Sequence, residues 1–472
     1  MDGGVTPRTA ILPPLPLALH PRMLRLVAIL LLLTCVPAQA QVGTRLFDFG
    51  AADDPTEGLP TPLGGSALRV NTFTGPSYIG VEWHAGVGFE ADAAAGPFAL
   101  GLGGRLRVGA AGLYEEDADD TYDLLRLLRY ARFDGSPRLP VYARVGPLTG
   151  VTFGTGHLVH HFQTTTAWEE RTVGVEAAAQ LPALRIVGFA EDVRFGGLVG
   201  GRVTGFPFEQ SRRPRLQSVR VGASAVGDIG LPDSLQTAAF SLDARFDVLQ
   251  VGDFALAPFA SYAWFHDHGD SFGAGADFAS EELIGLGRLG ATLALFRSGD
   301  GFIPGYFNAF YPISNPEARI WNADAYYRDR STDVTAGTPL AEAAANTAVY
   351  FRLRALVFDA FELATFVRRV YGDDALSQGG LRLTVSPGGG DAFRFIFEVQ
   401  RQGRTSFFSL FDDFRDQNTL VFHLDYALTG PARLFIRSRY GYTRVADGPD
   451  GTARYLVERR FEPFIGVRLI SR

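Results

Sequence analysis

Apolar and polar residues alternate with a period of two along most of this chain, from about Ala67 to its end. The clearest apolar faces read Leu100, Leu102, Leu106, Val108 and Ala110; Val349, Phe351, Leu353, Ala355 and Val357; Phe393, Phe395, Phe397 and Val399; and Leu420, Phe422, Leu424, Tyr426 and Leu428. Successive side chains of a strand point to opposite faces, so this pattern predicts β-strands and almost no helix. Alternation alone does not separate a soluble sandwich from a barrel whose apolar face meets lipid.

Connection lengths separate the two, because short and long connections alternate. Predicted short turns are 93–97, 134–137, 181–182, 250–254, 298–301, 358–360, 387–391 and 429–432; predicted long loops are 115–123, 154–170, 267–282, 311–346, 372–378, 403–418 and 445–454. Outer-membrane barrels have short periplasmic turns, long extracellular loops and an even strand number. The alternation therefore predicts an all-β fold, a transmembrane antiparallel up-and-down β-barrel of about 16–18 strands.

The N-terminal region predicts export. An apolar run from Leu26 to Leu33 follows two arginines and precedes the small-residue triplet that ends at Ala40, which is the pattern of a Sec signal peptide cleaved after Ala40. Met23 stands directly before the basic residues and is the expected start. We therefore predict three parts: residues 1–40 as an N-terminal extension and signal peptide, 41–66 as a short periplasmic segment, and 67–472 as the barrel.

Composition removes several classes of protein. The single cysteine, Cys35, lies in the predicted signal peptide, where a passive residue is favoured over a lipid attachment site, so the mature chain has no disulfide or thiolate metal site. No lysine is present, and the 44 basic residues are all arginine. A net charge of −7 argues against general nucleic-acid binding. We predict no cofactor and no metal.

Three clusters are candidate metal sites, namely His157 with His160 and His161, His266 with Asp267 and His268, and the acidic stretch 115–123. His157 and His161 would share one face of a strand about 13 Å apart, too far to hold one ion unless the chain turns between them. The acidic stretch 115–123 offers calcium-like oxygen ligands but no complete calcium motif. Polar rim residues and a solvated loop are the favoured interpretations.

Nucleophilic catalysis has little support in the sequence. No Gly-x-Ser-x-Gly segment occurs. His423 and Asp425 share a strand face as a base and an orienting carboxylate could, but no serine can be assigned to them. We therefore predict that the chain is not an enzyme.

Charged residues on the strands are expected to face the lumen, because a charge facing lipid at the midplane costs roughly 2–4 kcal/mol. The full set is Arg105, Arg107, Arg144, Asp243, Arg245, Asp247, Arg352, Arg354, Glu362, Arg368, Arg394, Glu398, Asp425, Arg437 and Arg439. As candidates for selectivity we take Arg105, Arg107, Arg245, Arg352, Arg354, Arg394, Glu398, Arg437 and Arg439. Arginine predominates, which fits either an anion-favouring ladder or a network of ion pairs that fills the lumen.

Aromatic pairs near predicted strand ends fit interfacial girdles or, equally well, loop packing. They are Tyr306 and Phe307, Tyr326 and Tyr327, Phe407 and Phe408, and Tyr440 and Tyr442.

The signal peptide, the strand alternation over 67–470 and the connection lengths together resemble Gram-negative outer-membrane β-barrel proteins of the porin-like size class. The resemblance is architectural. It implies a passive channel for small polar or anionic solutes, with a closed structural or adhesive surface protein, or less readily a barrel enzyme, as alternatives. Expected partners are outer-membrane lipid, lipopolysaccharide, the barrel-assembly machinery and small solutes, and the oligomeric state is open. Such proteins usually end in an aromatic residue, whereas this chain ends in Ser471-Arg472.

Overall fold

The computed structural model describes residues 67–117, 120–135, 139–230, 237–283, 285–314, 319–321, 333–335, 340–373, 376–390, 392–403, 418–447 and 453–471. Twenty long strands within these ranges form one sheet. They are β1 (Ala67–Ile79), β2 (Glu82–Ala95), β3 (Phe98–Gly109), β4 (Leu128–Phe133), β5 (Val141–Gly146), β6 (Gly174–Leu181), β7 (Leu184–Ala190), β8 (Leu198–Gly205), β9 (Arg220–Asp228), β10 (Ala238–Arg245), β11 (Phe254–Phe265), β12 (Asp270–Leu283), β13 (Gly287–Ser298), β14 (Asn346–Val357), β15 (Phe361–Tyr371), β16 (Gln378–Val385), β17 (Phe393–Gln402), β18 (Asn418–Thr429), β19 (Ala432–Asp447) and β20 (Ala453–Ser471).

Each strand pairs antiparallel with the next one in sequence. The last strand pairs with the first, in a register that runs from Leu68 opposite Ser471 to Ile79 opposite Arg460. Closure leaves no unpaired edge at the seam. The predicted antiparallel up-and-down barrel is therefore confirmed, and its described strands number twenty rather than the expected 16–18.

Strand β12 accounts for part of the undercount, because we expected residues 267–282 to be a long loop. Its sequence is rich in small residues on the inward face. A Cβ on Gly273 would lie 2.5 Å from the Phe296 ring, and one on Gly275 would lie 2.2 Å from the Leu293 carbonyl oxygen. The glycines make room for neighbouring side chains and so remove the apolar alternation by which a strand is recognised.

Two further connections differ from the prediction. Residues 298–301 were expected to be a short turn, but Ser298 ends β13 and the next long strand, β14, begins only at Asn346. Residues 445–454 were expected to be a long loop, but β19 and β20 extend into them and leave only 448–452 between the strands. The four longest connections, 110–127, 147–173, 299–345 and 403–417, leave from the same end, which we call the long-loop end.

Short elements lie in the connections. They are the helices Asp123–Arg126, Pro214–Gln217 and Tyr311–Ser314, the 3₁₀ turns Glu115–Asp117, Leu340–Glu342 and Pro387–Gly390, and the two- or three-residue strands Gly112–Leu113, Val159–His160, Leu249–Val251, Phe307–Asn308, Arg319–Trp321 and Asp333–Thr335. Among the described residues, no helix is long and apolar enough to cross a membrane.

Apolar packing fills one side of the barrel interior. The connection 147–173 and the described part of 299–345 fold inward, and Val159–His160 pairs in parallel with Phe307–Asn308. Their apolar side chains form one core with inward-facing residues of β5 to β11 and of β13 to β15. The loop side of this core includes Leu148, Val151, Phe153, Leu158, Phe162, Phe302, Ile303 and Phe307, and the wall side includes Val226, Phe259, Phe265, Phe296, Tyr350 and Phe366. We call the two inward segments together the lumen insert.

The outer surface of the strands is apolar, with exposed side chains that include Leu106, Leu242, Leu293, Leu295, Ile465 and Leu469. Interfacial girdle and loop packing were equally open for the aromatic pairs, and the described pairs are packed inside: Tyr306, Phe307, Tyr440 and Tyr442 are all buried. The other two pairs, at 326–327 and 407–408, fall outside the described residues. Exposed aromatic side chains at the long-loop end are instead Trp83, Tyr262, Phe272 and Tyr371.

Candidate functional site

A polar cavity of about 410 Å³ lies beside the lumen insert. Its walls come from β1 to β5, from β14 to β20 and from the connections 110–127 and 147–173. Fourteen arginines and nine carboxylates line it, an excess of five positive charges. The arginines are Arg69, Arg105, Arg107, Arg126, Arg129, Arg144, Arg171, Arg352, Arg382, Arg394, Arg437, Arg439, Arg460 and Arg468.

One set of these arginines anchors the loops to the wall. Arg107 Nη2 donates to Asp117 Oδ1 at 2.5 Å and to Glu169 Oε1 at 3.0 Å. Arg460 Nη1 lies 2.5 Å from Glu169 Oε1, and its Nη2 donates to Glu458 at 2.6 Å. Asp117 and Glu169 belong to two different long connections. Strands β3 and β20 therefore hold both connections through charge-assisted hydrogen bonds.

Glu169 is ionised in this cluster. Burial opposes its charge, but Arg460 and Arg107 together lower the pKa of Glu169 to about 2. Its neighbour Glu170 behaves differently, since burial raises the pKa of that carboxyl group to about 7. Glu170 accepts the backbone N–H of Arg444 at 2.7 Å. One carboxylate thus completes the ion-pair cluster, while the other favours its neutral form.

A second set of arginines is neutralised along the wall. Arg105 donates to Glu462, and Arg468 donates to Asp425. Arg69 lies 3.2 Å from Asp92. The Arg69–Asp92 pair joins the neighbouring strands β1 and β2, and the other two pairs span the lumen side of strands that are not adjacent. All three pairs offer little net charge to a solute.

Three arginines lack such close carboxylate partners. Arg394 has no ion pair or hydrogen bond with any described residue. Arg437 is 3.6 Å from Glu90, and it donates to the Leu424 carbonyl at 3.4 Å. Arg439 donates to the Thr165 carbonyl at 3.1 Å and lies 3.8 Å from the centre of the Trp168 ring. The backbone pairing places the three at successive levels of β17 and β19, so they form a column of cations along the cavity.

Trp168 faces this column near the long-loop end. Its ring lies 4.3 Å from the Arg171 guanidinium as well as against Arg439. Both contacts are cation–π interactions. A guanidinium on an aromatic face keeps its charge, so Trp168 positions both cations without neutralising them.

Seven of the nine predicted selectivity residues line this cavity: Arg105, Arg107, Arg352, Arg394, Glu398, Arg437 and Arg439. The remaining two, Arg245 and Arg354, are not among its lining residues. Arg245 lies 3.2 Å from Asp277, and Arg354 lies 2.8 Å from Glu362. Both residues were predicted as selectivity candidates because strand alternation directs their side chains inward. Alternation does not tell which part of the lumen an inward side chain reaches.

Several lining residues were missed. Arg460 and Glu462 alternate with Phe461 in the last strand, a signal that was available but was not used. Trp168 and Glu169 lie on the predicted loop 154–170, and Arg171 directly follows it. No periodicity places a loop inside a barrel. Their signal is different: the same loop contains Leu158, Val159 and Phe162, which are more apolar than a solvated loop requires.

The histidine cluster is part of the lumen insert. His157 is hydrogen-bonded to Ser261 at 3.0 Å and to Ser271 at 2.9 Å, and His160 to the Tyr350 hydroxyl at 3.0 Å. Burial, reinforced by the positive charge of Arg368, lowers the pKa of His157 to about 3. Both rings are therefore neutral anchors. No group of three metal-ligating side chains occurs among the described residues.

The remaining candidates are engaged in ion pairs. Asp425, weighed as the orienting carboxylate for His423, binds Arg468 instead. In the described part of the acidic stretch, Asp117 binds Arg107 and Asp123 lies 2.7 Å from Arg126. These carboxylates serve to fix loops and wall.

No protein-family model matches the sequence, and no curated protein matches it significantly. One of the solved structures that resemble the chain is described as the outer membrane protein OpdK of Pseudomonas aeruginosa, at 11% identity and a TM-score of 0.31. OccK5 (OpdH) of Pseudomonas aeruginosa is 11% identical with a TM-score of 0.32, and the match covers 86% of this chain and 98% of that one. OpdK of the same organism with vanillate gives 12% and 0.31 with the same coverage, and Acinetobacter baumannii OccAB3 gives 10% and 0.28, over 86% and 99%. The fold assignment rests on the strand pairing of the chain itself, which is a closed antiparallel barrel.

Proposed function

We propose that the barrel lies in the outer membrane of a Gram-negative cell and acts as a porin-like passive channel for small anionic solutes. The observation that carries the solute preference is the column of Arg394, Arg437 and Arg439 in a cavity with five excess positive charges. Inside a narrow, low-dielectric passage, a guanidinium without a close carboxylate attracts anions more strongly than it would in bulk water.

The membrane location is supported by the outer surface and by the N-terminal sequence. Exposed leucine, isoleucine and valine side chains on a closed barrel suit contact with lipid. The proposal includes export by a Sec signal peptide cleaved after Ala40, translation from Met23, assembly by the barrel-assembly machinery and contact with lipopolysaccharide. N-terminal sequencing of the mature protein should begin at Gln41, and a mature chain that begins elsewhere contradicts the cleavage site.

Conductance in a planar bilayer tests the channel. Purified protein should insert in discrete current steps, and under a tenfold KCl gradient the reversal potential should have the sign of chloride preference. The folded state is checked in parallel by the shift of the unheated band on a gel. A silent bilayer with folded, inserted protein would contradict the channel, and cation preference would contradict the role of the arginine column.

The alternative is a closed structural or adhesive barrel. It is favoured by one observation, the apolar lumen insert that occupies one side of the interior. The same bilayer experiment separates the two functions, because a closed barrel inserts without current steps.

A further inference from the structure

Arg368 of β15 is a fully buried arginine on the filled side of the lumen, where it contacts both segments of the lumen insert. It is absent from the walls of the polar cavity. Its guanidinium has no carboxylate within 4.0 Å among the described residues. A buried charge without a counter-ion is costly, and it persists only where its surroundings provide many well-placed acceptors.

Those acceptors come from both inward segments. Arg368 Nη2 donates to the Gly156 carbonyl at 2.6 Å, in the connection 147–173. Its Nη1 donates to the Pro304 carbonyl at 3.1 Å, in the connection 299–345. Gln378 of β16 supports the arrangement, since its Oε1 lies 3.4 Å from Nη1. One planar guanidinium thus bridges two loops that are far apart in sequence.

The walls around Arg368 hold the guanidinium plane. It lies 5.2 Å from the Tyr350 ring centre and 5.8 Å from the Phe296 ring centre. On the loop side, Gly305 leaves space for the guanidinium. Its φ is +64°, and a Cβ at this position would lie 1.5 Å from Arg368 Nη1. Gly305 also donates to the His157 carbonyl at 2.8 Å, which ties the two segments to each other beside the arginine.

We propose that Arg368 is a positioning residue, a clamp that docks both segments of the lumen insert against β15 and thereby confines passage to the arginine-lined side of the lumen. Its charge serves the loops rather than a solute. The confinement of passage rests on the proposed channel function, whereas the docking of the loops does not.

The docking is tested with one introduced thiol. Thr155, next to Gly156, is only 9% exposed, and Cys35 lies before the predicted cleavage site, so Thr155→Cys supplies a single reactive group in the mature chain. We expect Arg368→Met to raise the rate of labelling of this thiol by a maleimide by at least about tenfold, because charge-assisted hydrogen bonds to both loops are lost. Arg369→Met is the matched control. It changes the adjacent arginine on the outer face, which stacks on Tyr371, and should leave the rate unchanged.

The second variant changes the loop residue that contacts the Arg368 guanidinium. Gly305→Ala leaves every barrel strand intact, yet its methyl group must displace the guanidinium. Gly305→Ala should also raise the labelling rate of Thr155→Cys. If Arg368→Met gives no heat-shifted gel band and therefore does not fold, the labelling rate of Gly305→Ala alone tests the clamp. Unchanged labelling in a folded variant overturns the clamp.

Conductance measured on the same variants separates the two proposals. Faster labelling together with larger, noisier current steps supports both the clamp and the confined channel. Faster labelling in a barrel that is silent in wild-type and variant forms supports the clamp and contradicts the channel. Unchanged labelling with normal wild-type conductance contradicts the clamp alone.

Discussion

An arginine that lines a pore attracts a solute only to the extent that its charge is not already neutralised. Arg105 and Arg468 illustrate the neutralised case, since each binds a carboxylate from another strand of the barrel. Arg394 illustrates the other, with no ion pair among the described residues. An arginine that points inward is therefore not automatically a selectivity residue. The distance from its guanidinium to the nearest carboxylate determines whether its charge is available to a solute.

Replacement of Arg394 by glutamine tests this distinction. We expect Arg394→Gln to lower the chloride-to-potassium permeability ratio by at least about twofold, since it removes an unpaired charge from a low-dielectric lumen. Arg394→Lys should retain the preference. The contrasting change is Arg354→Gln, at a guanidinium 2.8 Å from Glu362 and outside the cavity walls, which should alter the ratio less. Equal effects of both glutamine variants on the reversal potential would contradict the assignment.

The prediction from sequence succeeds at this scale wherever a strand alternates cleanly. Arg352 of β14 and Arg107 of β3 face inward as expected, because the side-chain direction in a strand follows from parity alone. Which carboxylate an arginine meets depends on the register of distant strands and on the loops. Glu169 and Glu462, for example, are more than sixty residues from Arg107 along the chain.

Elements differ in how much of their structure the sequence reveals. Part of each of the four longest connections was predicted as a loop, at 115–123, 154–170, 311–346 and 403–418. The direction of these loops was not predicted, since a loop can extend into solvent or fold into a lumen with the same strand boundaries. Apolar residues such as Phe153, Phe162 and Phe302 were the available indication that these loops pack inward. Strand β12 was missed for the opposite reason, because its inward glycines conceal a regular strand.

The lumen insert should loosen in acid because of its histidines. His157 is held neutral, with a pKa lowered to about 3 from 6.5, so the docked state favours the unprotonated ring. Burial also lowers the pKa of His160. When the lumen insert undocks below pH 6.5, His157 and His160 each take up one proton. Glu170, whose pKa rises to about 7 in the docked state, releases one proton on undocking. Docking is favoured above pH 6.5 and weakens as the pH falls, by about tenfold per unit for the net proton.

The labelling rate of Thr155→Cys between pH 5 and pH 6.5 measures this slope. The exposed position Gln210→Cys, in a separate protein, corrects for the pH dependence of the reagent. His157→Gln removes one of the two protons taken up, so it should abolish most of the acid-induced increase in labelling. A wild-type rate that stays constant after correction would show that the histidines do not control docking.

At the scale of the whole molecule, the barrel divides into two sides with different tasks. Inward-facing apolar residues of β5 to β11 and of β13 to β15 pack against the lumen insert, whereas β1 to β5 and β14 to β20 form the walls of the arginine-lined cavity. Near the closing seam between β1 and β20, Phe73, Phe435 and Phe464 form a separate apolar cluster, with Phe73 and Phe464 stacked at 5.0 Å. Filling one side narrows the interior without reducing the number of strands, and among the described residues the polar cavity beside the lumen insert has a volume of about 410 Å³.

The membrane location of the barrel makes a prediction that a soluble barrel does not. Leu293, in the middle of β13, is 59% exposed on the outer face, and Leu286, in the turn before the same strand, is 48% exposed. If the surface meets lipid, Leu293→Arg should lower the free energy of unfolding by roughly 2–4 kcal/mol, and Leu286→Arg by about 0–1 kcal/mol, because the cost of a charge depends on its depth. Urea unfolding of the protein in lipid vesicles measures both. In a barrel surrounded by water the two exposed positions would differ little, so equal and small effects would contradict the membrane location, while a large difference confined to Leu293 would support it independently of any channel activity.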